Sequence, residues 1–241
     1  MYRFAIPYPV LPGKTDPEVK EAADYFRNHP GDYRQSRRDA GVSLERVYLQ
    51  KTPMGGVAVA YIEAEKPFAE TFPALLDTSL EVNRYFADFI HRVHGVDLSQ
   101  AATAPPPETI VDWSDPNVTT RQRGLAFTVP GISGQEEYGK TFARTASIDR
   151  RTEFTESRRT MGLNLEVITL LQTPRGPFVS IYIEGDDPVE ANRRHAASQQ
   201  AFDRWFKDEC RKVFPPEIDF DAPLPAIPEQ FFDSTELMAG D

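Results

Sequence analysis

The chain alternates apolar and polar residues in some stretches and repeats apolar residues at helical spacing in others. In the segment 177–184, one alternating row is wholly aliphatic and consists of Val179, Ile181 and Ile183. A period of two is typical of a strand, whereas apolar residues three and four apart are typical of a helix. In the first half of the chain these periods predict strands over 2–11, 44–52 and 56–64, and helices over 17–40 and 68–94.

Cap and turn residues bound these elements. Thr15 or Asp16 can cap the first helix, and Gly41 can end it in the left-handed conformation that glycine tolerates. The sequence TPMGG between the second and third strands predicts a tight turn. The resulting order is β-α-β-β-α with a possible last strand, the split βαβ pattern of ferredoxin-like units.

The whole pattern occurs twice. The segment 36–63 matches 157–184 at 13 of 28 positions, with Ser36 and Ser157 standing 121 residues apart. Gly162 recurs where Gly41 stands, and both copies end in a Pro-rich tail. We therefore predict two tandem domains. The first is residues 1–115 with its Pro-rich tail at 103–116, and the second is residues 121–241.

Each predicted sheet carries its helices on one face, so its second face needs cover. In the second copy that face is built from Phe178, Ser180, Tyr182 and Glu184, and in the first from Val57, Val59, Tyr61 and Glu63. Two such faces in one chain can cover each other. The expected fold class is therefore α+β, with two ferredoxin-like repeats packed sheet to sheet.

The runs SRRDAGVSLERVYLQKTPMGGVAVAYIEAE and RHAASQQAFDRWFKDECRKVF resemble a group of bacterial proteins that carry one such repeat of about 110 residues. The sequence thus looks like a tandem-repeat member of the dimeric α+β barrel superfamily. Gly95-Val96-Asp97 fits the pattern of that group, whereas the second copy has Pro215–Pro216 there. The resemblance implies a fold and no single activity, because the superfamily includes cofactor-independent monooxygenases, haem enzymes, isomerases and proteins without known catalysis.

Composition narrows the function classes. The formal charge of −10 repels nucleic acid and anionic membranes, and the arginine pairs have acidic neighbours instead of forming a stripe. No apolar run reaches the roughly 20 residues that a membrane helix needs. Cys210 is the single cysteine, which predicts no disulfide and no thiolate cluster. The N-terminus does not read as a signal peptide, so we expect a cytoplasmic protein.

Two identical pairs are the leading candidates for catalysis, namely Tyr61 with Glu63 and Tyr182 with Glu184. A phenol can donate a hydrogen bond to a substrate oxygen, and a partly buried carboxylate can act as a base. The alternative is structural: the tyrosines fill a core, and the glutamates face water or pair with arginines.

Other candidates accompany these pairs. His195 has no histidine at the matching place in the first copy and is an alternative base, and Tyr48, which falls on the face of Tyr61, is matched by Thr169. Arg38 and Arg159 could reach a ligand carboxylate. Arg37–Arg38 and Arg158–Arg159 could instead anchor Glu45 and Glu166 at helix ends.

Metal and cofactor signatures are weak. His91 and His94 share a helix face, but no third ligand accompanies them, so we expect no metal site. Phosphate-loop and nucleophile-elbow motifs are also missing from the sequence, which predicts no bound cofactor.

The sequence therefore favours a small-molecule-binding protein, either a cofactor-independent monooxygenase or an acid–base enzyme of the isomerase or lyase kind, acting on an apolar or aromatic metabolite. Whether it is catalytic is left open. The alternatives are a non-catalytic protein with a filled inter-sheet core and, third, a haem-binding protein. The expected partners are a small-molecule ligand and at most a second copy of the chain, as a monomeric pseudo-dimer or a homodimer.

Overall fold

A computed structural model describes residues 1–97, 105–174 and 176–238. The chain divides into two compact units. Unit 1 comprises Met1–Pro107 together with Pro228–Asp241, and unit 2 comprises Glu108–Ile227.

Unit 1 is a four-stranded antiparallel sheet with helices. Its elements are β1 (Tyr2–Pro9), α1 (Asp16–Asn28), α2 (Pro30–Ala40), β2 (Val42–Thr52), β3 (Gly55–Ala64), α3 (Phe68–Leu75), α4 (Glu81–Phe89) with a π-turn (Ile90–His94), and, from the far end of the chain, β8 (Glu229–Asp233) and α9 (Thr235–Met238). The strand order is β1-β3-β2-β8.

Unit 2 repeats this plan. Its elements are β4 (Glu108–Ser114), β5 (Arg123–Pro130), α5 (Glu136–Arg144) with a π-turn (Thr145–Asp149), α6 (Arg151–Met161), β6 (Leu163–Thr173), β7 (Gly176–Gly185), α7 (Pro188–Ala197) and α8 (Ala201–Val213). The strand order β4-β6-β7-β5 matches that of unit 1 when equivalent strands are compared. The prediction of two tandem ferredoxin-like α+β repeats is confirmed.

The last strand of each repeat lies in the sheet of the other unit. β4 follows the helices of unit 1 but pairs with β6, and β8 follows the helices of unit 2 but pairs with β2. The compact units therefore differ from the predicted domains 1–115 and 121–241, since each tail completes the other sheet. Of the Pro-rich tail 103–116, residues 103 and 104 lie outside the described residues.

Helix boundaries follow local chemistry. The Glu18 carboxylate accepts a hydrogen bond from the backbone N–H of Thr15 at 2.9 Å, the reciprocal part of a capping box. Gly41 and Gly162 end their helices with φ of 71° and 85°, as predicted. The single helix predicted over 17–40 is wrong in one respect: it ends at Asn28, and a second begins at Pro30, which suits the first turn because proline lacks an N–H.

The helices of each unit cover one sheet face and form its hydrophobic core. In unit 1 this core includes Phe26, Leu49, Ala58 and Phe232. In unit 2 it includes Leu125, Phe154, Ile183 and Phe206. Across the described residues, no helix has the length and apolar character needed to span a bilayer.

Candidate functional site

Both predicted tyrosine–glutamate pairs exist as hydrogen-bonded pairs. The hydroxyl of Tyr61 donates to Oε1 of Glu63 at 2.5 Å, and the hydroxyl of Tyr182 donates to Oε2 of Glu184 at 2.8 Å. The residues of each pair are two apart on one strand, so both side chains leave the same face. All four side chains are buried. The duplication has therefore preserved a geometry as well as two residue types.

Different cations accompany the two carboxylates. In unit 1, Nε of Arg3 lies 3.3 Å from Glu63 across the β1–β3 ladder. In unit 2, Nη1 of Arg121 lies 3.5 Å from Glu184, which also accepts a hydrogen bond from the backbone N–H of Gln122 at 3.0 Å. Such partners offset the desolvation of a buried carboxylate.

The pairs lie on the sheet faces turned away from the helices. Ala58, Ala60 and Ile62 face the helices of unit 1, so the alternate residues Tyr61 and Glu63 project from the other side of β3. Tyr48 shares that face, because it stands opposite Val59 in the β2–β3 register. These are the positions that the sequence pattern predicts.

Unit 1 also contains a cavity that the sequence analysis missed. It lies between the helices and the sheet and has a volume of about 50 Å³. Its sheet side is formed by Ala58, Ala60 and Ile62, and aromatic side chains of the helices surround it. This volume exceeds the ~10–15 Å³ that one water needs and is far below the ~300 Å³ of a pocket for a drug-sized ligand. As described, it suits a guest of a few heavy atoms.

The two copies differ in side-chain size at the sheet wall of this cavity. Ala58 and Ala60 of unit 1 stand where unit 2 has Val179 and Ile181. Valine and isoleucine carry two and three carbons more than alanine, and in unit 2 both pack against the helical core. The two alanines therefore occupy less space under the helices of unit 1 than valine and isoleucine occupy at the matching positions of unit 2. The signal was visible in the sequence as small residues on an otherwise aliphatic row.

One end of the cavity is polar and tightly hydrogen-bonded. The carboxylate of Glu45, which lines it, accepts hydrogen bonds at 2.9 Å from the hydroxyl of Tyr33 and from Nε of Arg37. Burial raises the pKa of Tyr33 well above its usual value, and the charge of Glu45 adds to the effect. Burial opposes the charge on Arg37, but Glu45 and Tyr33 together more than compensate and raise the pKa of Arg37. The phenol is therefore neutral and the guanidinium charged at pH 7.

The same anchor recurs in unit 2 without its phenol. Arg158 donates to both oxygens of Glu166, at 2.5 and 3.1 Å, and Phe154 stands in place of Tyr33. The prediction that repeat arginines anchor Glu45 and Glu166 therefore holds for the first arginine of each pair.

His94 and Tyr8 supply the remaining polar groups of the cavity wall. Nδ1 of His94 lies 3.0 Å from the carbonyl oxygen of Pro9 and donates to it. Burial lowers the pKa of His94, so its ring is neutral at pH 7. Burial raises the pKa of Tyr8, as does the charge of Glu45. The wall thus carries neutral groups beside one compensated carboxylate.

The other predicted site residues lie elsewhere. Arg38 is exposed, and its Nη2 donates to Gln35 at 3.1 Å. Arg159 donates hydrogen bonds to both carboxylate oxygens of Asp115, from Nε at 2.6 Å and from Nη2 at 2.9 Å. The hydrogen bond from Arg159 is the largest cause that lowers the pKa of Asp115 to about 2, and the backbone N–H of Asn117 is the next. In the described structure Arg159 secures the residue that follows β4.

His195 does not lie beside Tyr182 and Glu184. It belongs to α7 on the helical side of the sheet, where its ring meets Phe206 edge-on with centroids 5.9 Å apart. Within the described residues its buried Nε2 has no hydrogen-bond partner. Burial, assisted by the charge of Arg158, lowers the pKa of His195 to about 3. The ring is neutral and set apart from the predicted catalytic pair.

The two histidines predicted to share a helix face differ in burial, since His91 is exposed and His94 is buried. Over the described residues, no cluster of three or more His, Cys, Asp or Glu side chains is placed to hold a metal ion.

Together, the fold and these groups define a class: a duplicated α+β protein with two ferredoxin-like units and a buried tyrosine–glutamate pair in each. No family model and no curated protein matches the sequence significantly. Among solved structures, the chain is similar to a "Putative monooxygenase" of Fusobacterium nucleatum subsp. nucleatum, with 8% identity and a TM-score of 0.49 over 96% of this chain and 92% of that one. It is also similar to an anthrone oxidase-like protein, with 12% identity and a TM-score of 0.48 over 95% and 88% of the two chains.

Proposed function

We propose that this protein binds a small, mostly apolar molecule in the helix–sheet cavity of unit 1. The observation that carries the proposal is the space beside Ala58 and Ala60, where the second copy has the larger residues Val179 and Ile181. Protein interiors contain few voids larger than a water molecule. An apolar void excludes water but can admit an apolar guest. Oε2 of Glu45 accepts hydrogen bonds from Tyr33 and Arg37, so the charge of this carboxylate is compensated by the protein itself.

Xenon is a suitable probe because it enters apolar cavities without specific chemistry. We expect xenon pressure to shift the methyl NMR signals of unit 1 residues around the cavity, such as Ile62 and Val47. The double substitution Ala58→Val with Ala60→Ile installs the residues of unit 2 and should abolish the shifts. Unchanged shifts in that variant would refute the proposed site.

The chain offers the reverse substitution as a matched control. Val179→Ala with Ile181→Ala gives unit 2 the residues of unit 1 and should leave the xenon shifts in unit 1 unchanged. It should also create new xenon-dependent shifts near Ile168 and Ile183, which pack in that core. This control separates cavity binding from non-specific effects of pressure.

A second function, acid–base catalysis, is favoured by the recurrence of the tyrosine–glutamate pair in both units. In this proposal the phenol oxygen takes a proton from the substrate while the phenol proton passes to the carboxylate. Such a relay suits an isomerase or lyase, and equally the deprotonation of an aromatic substrate by a cofactor-independent monooxygenase.

The relay can be tested with cyclohexanone, an apolar carbon acid whose α-proton exchange in D₂O is followed by NMR. We expect exchange to be accelerated by the wild-type protein and to fall about a hundredfold or more when Tyr61 and Tyr182 are both replaced by Phe. Equal exchange rates in the wild type and in this variant would refute the relay. The Ala58→Val and Ala60→Ile variant serves as the control, because it alters the other face of β3.

A further inference from the structure

One wall of the unit 1 cavity comes from the far end of the chain. Phe231 and Phe232 of β8 both line it. Phe232 is buried against Phe26 and Tyr33, with ring centroids 5.8 and 5.6 Å apart. β8 occupies the sheet edge beside β2, about 180 residues later in the sequence. The cavity is therefore closed by a segment that is not continuous with the rest of its unit.

That segment is joined to unit 2 by a short connection. Leu224 packs against the unit 2 core, and its backbone N–H donates to Oδ1 of Asn192 at 2.8 Å. The chain enters unit 1 at Pro228. Between these points lie Pro225, Ala226 and Ile227. We call residues 228–238 the C-terminal tail, and residues 225–227 its linker.

The tail is held by one largely buried ion pair, between Nε of Arg46 and Oδ2 of Asp233 at 2.8 Å, and by exposed ion pairs on its outer side. Nζ of Lys20 lies 2.6 Å from Oε1 of Glu229, and Nε of Arg27 lies 3.4 Å from Oε2 of Glu236. All four of these side chains are more than a quarter exposed. Exposed pairs contribute little to stability and are screened by salt, so they give way before buried contacts do.

The inner contacts connect the tail to the polar end of the cavity. Ser234 accepts a hydrogen bond from the backbone N–H of Glu45 at 2.8 Å and donates its own backbone N–H to the Glu45 carbonyl at 2.9 Å. The carboxylate of the same Glu45 lines the cavity. A guest beside this carboxylate therefore contacts the residue that holds the tail in place.

We propose that the C-terminal tail is the movable wall through which the unit 1 cavity exchanges its ligand. The other walls are helices and strands that follow one another within residues 1–94, whereas the tail, although it packs on the same core through Phe232, is an edge strand that joins unit 1 from the linker 225–227. The identity of the ligand rests on the function proposed above, but the movement of the wall does not. By linkage, a ligand that contacts Phe231 or Phe232 stabilises the docked tail, and a docked tail strengthens ligand binding.

Cysteine labelling tests the movement without any ligand. Ala58→Cys places a thiol at the cavity. The other cysteine of that variant is Cys210, which is buried in unit 2 and reports on the opening of that unit. In this background, Lys20→Glu replaces the attraction to Glu229 by repulsion. We expect N-ethylmaleimide to label Cys at position 58 about three- to tenfold faster, with the labelling of Cys210 unchanged.

A charge swap and a helix control make the test decisive. Adding Glu229→Lys to Lys20→Glu restores an ion pair and should return the labelling rate to within about twofold of the Ala58→Cys parent. Arg92→Glu breaks the ion pair between Arg92 and Glu21, whose charged atoms lie 2.9 Å apart within the helical layer of unit 1. The exposure of this pair is similar to that of Lys20 and Glu229. This substitution should leave the rate nearly unchanged.

Two results would overturn the proposal. One is a labelling rate that does not respond to Lys20→Glu, and the other is an equal response to Arg92→Glu, which would place the opening between the helices. Xenon binding to the wild type is measured separately. Failure of the proposed ligand site would remove the xenon shifts and leave the labelling result intact, so the two failures are distinguishable.

Discussion

At the scale of single residues, differences between the copies are as informative as identities. His195 drew attention because it has no counterpart in the first copy, yet the structure sets it on the helical side of its sheet, away from Tyr182. Strand alternation placed Tyr61, Tyr182 and their glutamates correctly, because a period of two fixes the face from the sequence alone. It could not place His195, since the face of a helix residue depends on how that helix packs.

The depressed pKa of His195 predicts a pH-dependent stability. Its folded-state pKa of about 3 lies below the ordinary 6.5, so the unfolded chain binds the proton more readily. Its contribution is fully present above pH 6.5 and is lost as the pH falls from 6.5 toward 3. The free energy of unfolding should drop by up to about 1.4 kcal/mol per pH unit in this range.

Urea unfolding at pH 7, 6 and 5 measures this slope, and His195→Gln should flatten it. Part of the slope should remain, because burial also lowers the pKa of His94 and acts in the same direction. His29→Gln is a suitable control, since His29 is exposed. Equal slopes in the wild type and in His195→Gln would contradict the assignment.

At the scale of elements, the sequence predicted the strands well but merged neighbouring helices, since the helix predicted over 17–40 is divided into α1 and α2 and the one predicted over 68–94 into α3 and α4. Gly41 ends α2, and the TPMGG turn joins β2 to β3 as expected. The break between Asn28 and Pro30 is a local proline effect and could have been read from the sequence. The sequence could also have shown that Arg37, and not Arg38, pairs with Glu45. Arg37 lies on the same helix face as Tyr33, four residues earlier. The cavity was accessible only in part, because the sequence shows the small residues Ala58 and Ala60 but not how distant helices pack over them.

The ion pair that ties the end of α2 to β2 gives an element-scale prediction. Arg37→Met leaves the buried Glu45 carboxylate without its cation and should lower the free energy of unfolding by about 3–5 kcal/mol. Arg38→Met alters the exposed neighbour and should lower it by less than about 1 kcal/mol. Denaturant unfolding of both variants at pH 7 compares them directly. Similar losses in the two variants would show that burial of the pair is not what stabilises this helix end.

At the scale of the whole molecule, the exchange of tails is what sequence reasoning could not supply. The sequence assigns each Pro-rich tail to its own repeat and indicates a possible last strand. The pairing of β4 with β6 and of β8 with β2 depends on contacts between distant parts of the chain, which no local period encodes. As a consequence, unit 1 is built from both ends of the chain, while unit 2 is one continuous segment.

This construction predicts an unequal response to truncation. A chain that ends at Ile227 keeps every strand of unit 2 but removes β8 from unit 1, which exposes the edge of β2 and leaves the buried N–H of Glu45 without Ser234. Amide hydrogen exchange should therefore accelerate in β2 and α1, with smaller changes in β6 and β7.

A synthetic peptide of residues 228–241 should restore protection to β2 when added in excess, because it supplies the same edge strand. The same peptide carrying Phe232→Ala should restore less, since it lacks the ring that packs against Phe26 and Tyr33. Protection lost first in unit 2, or equal rescue by both peptides, would show that β8 does not complete unit 1 in the way its contacts indicate.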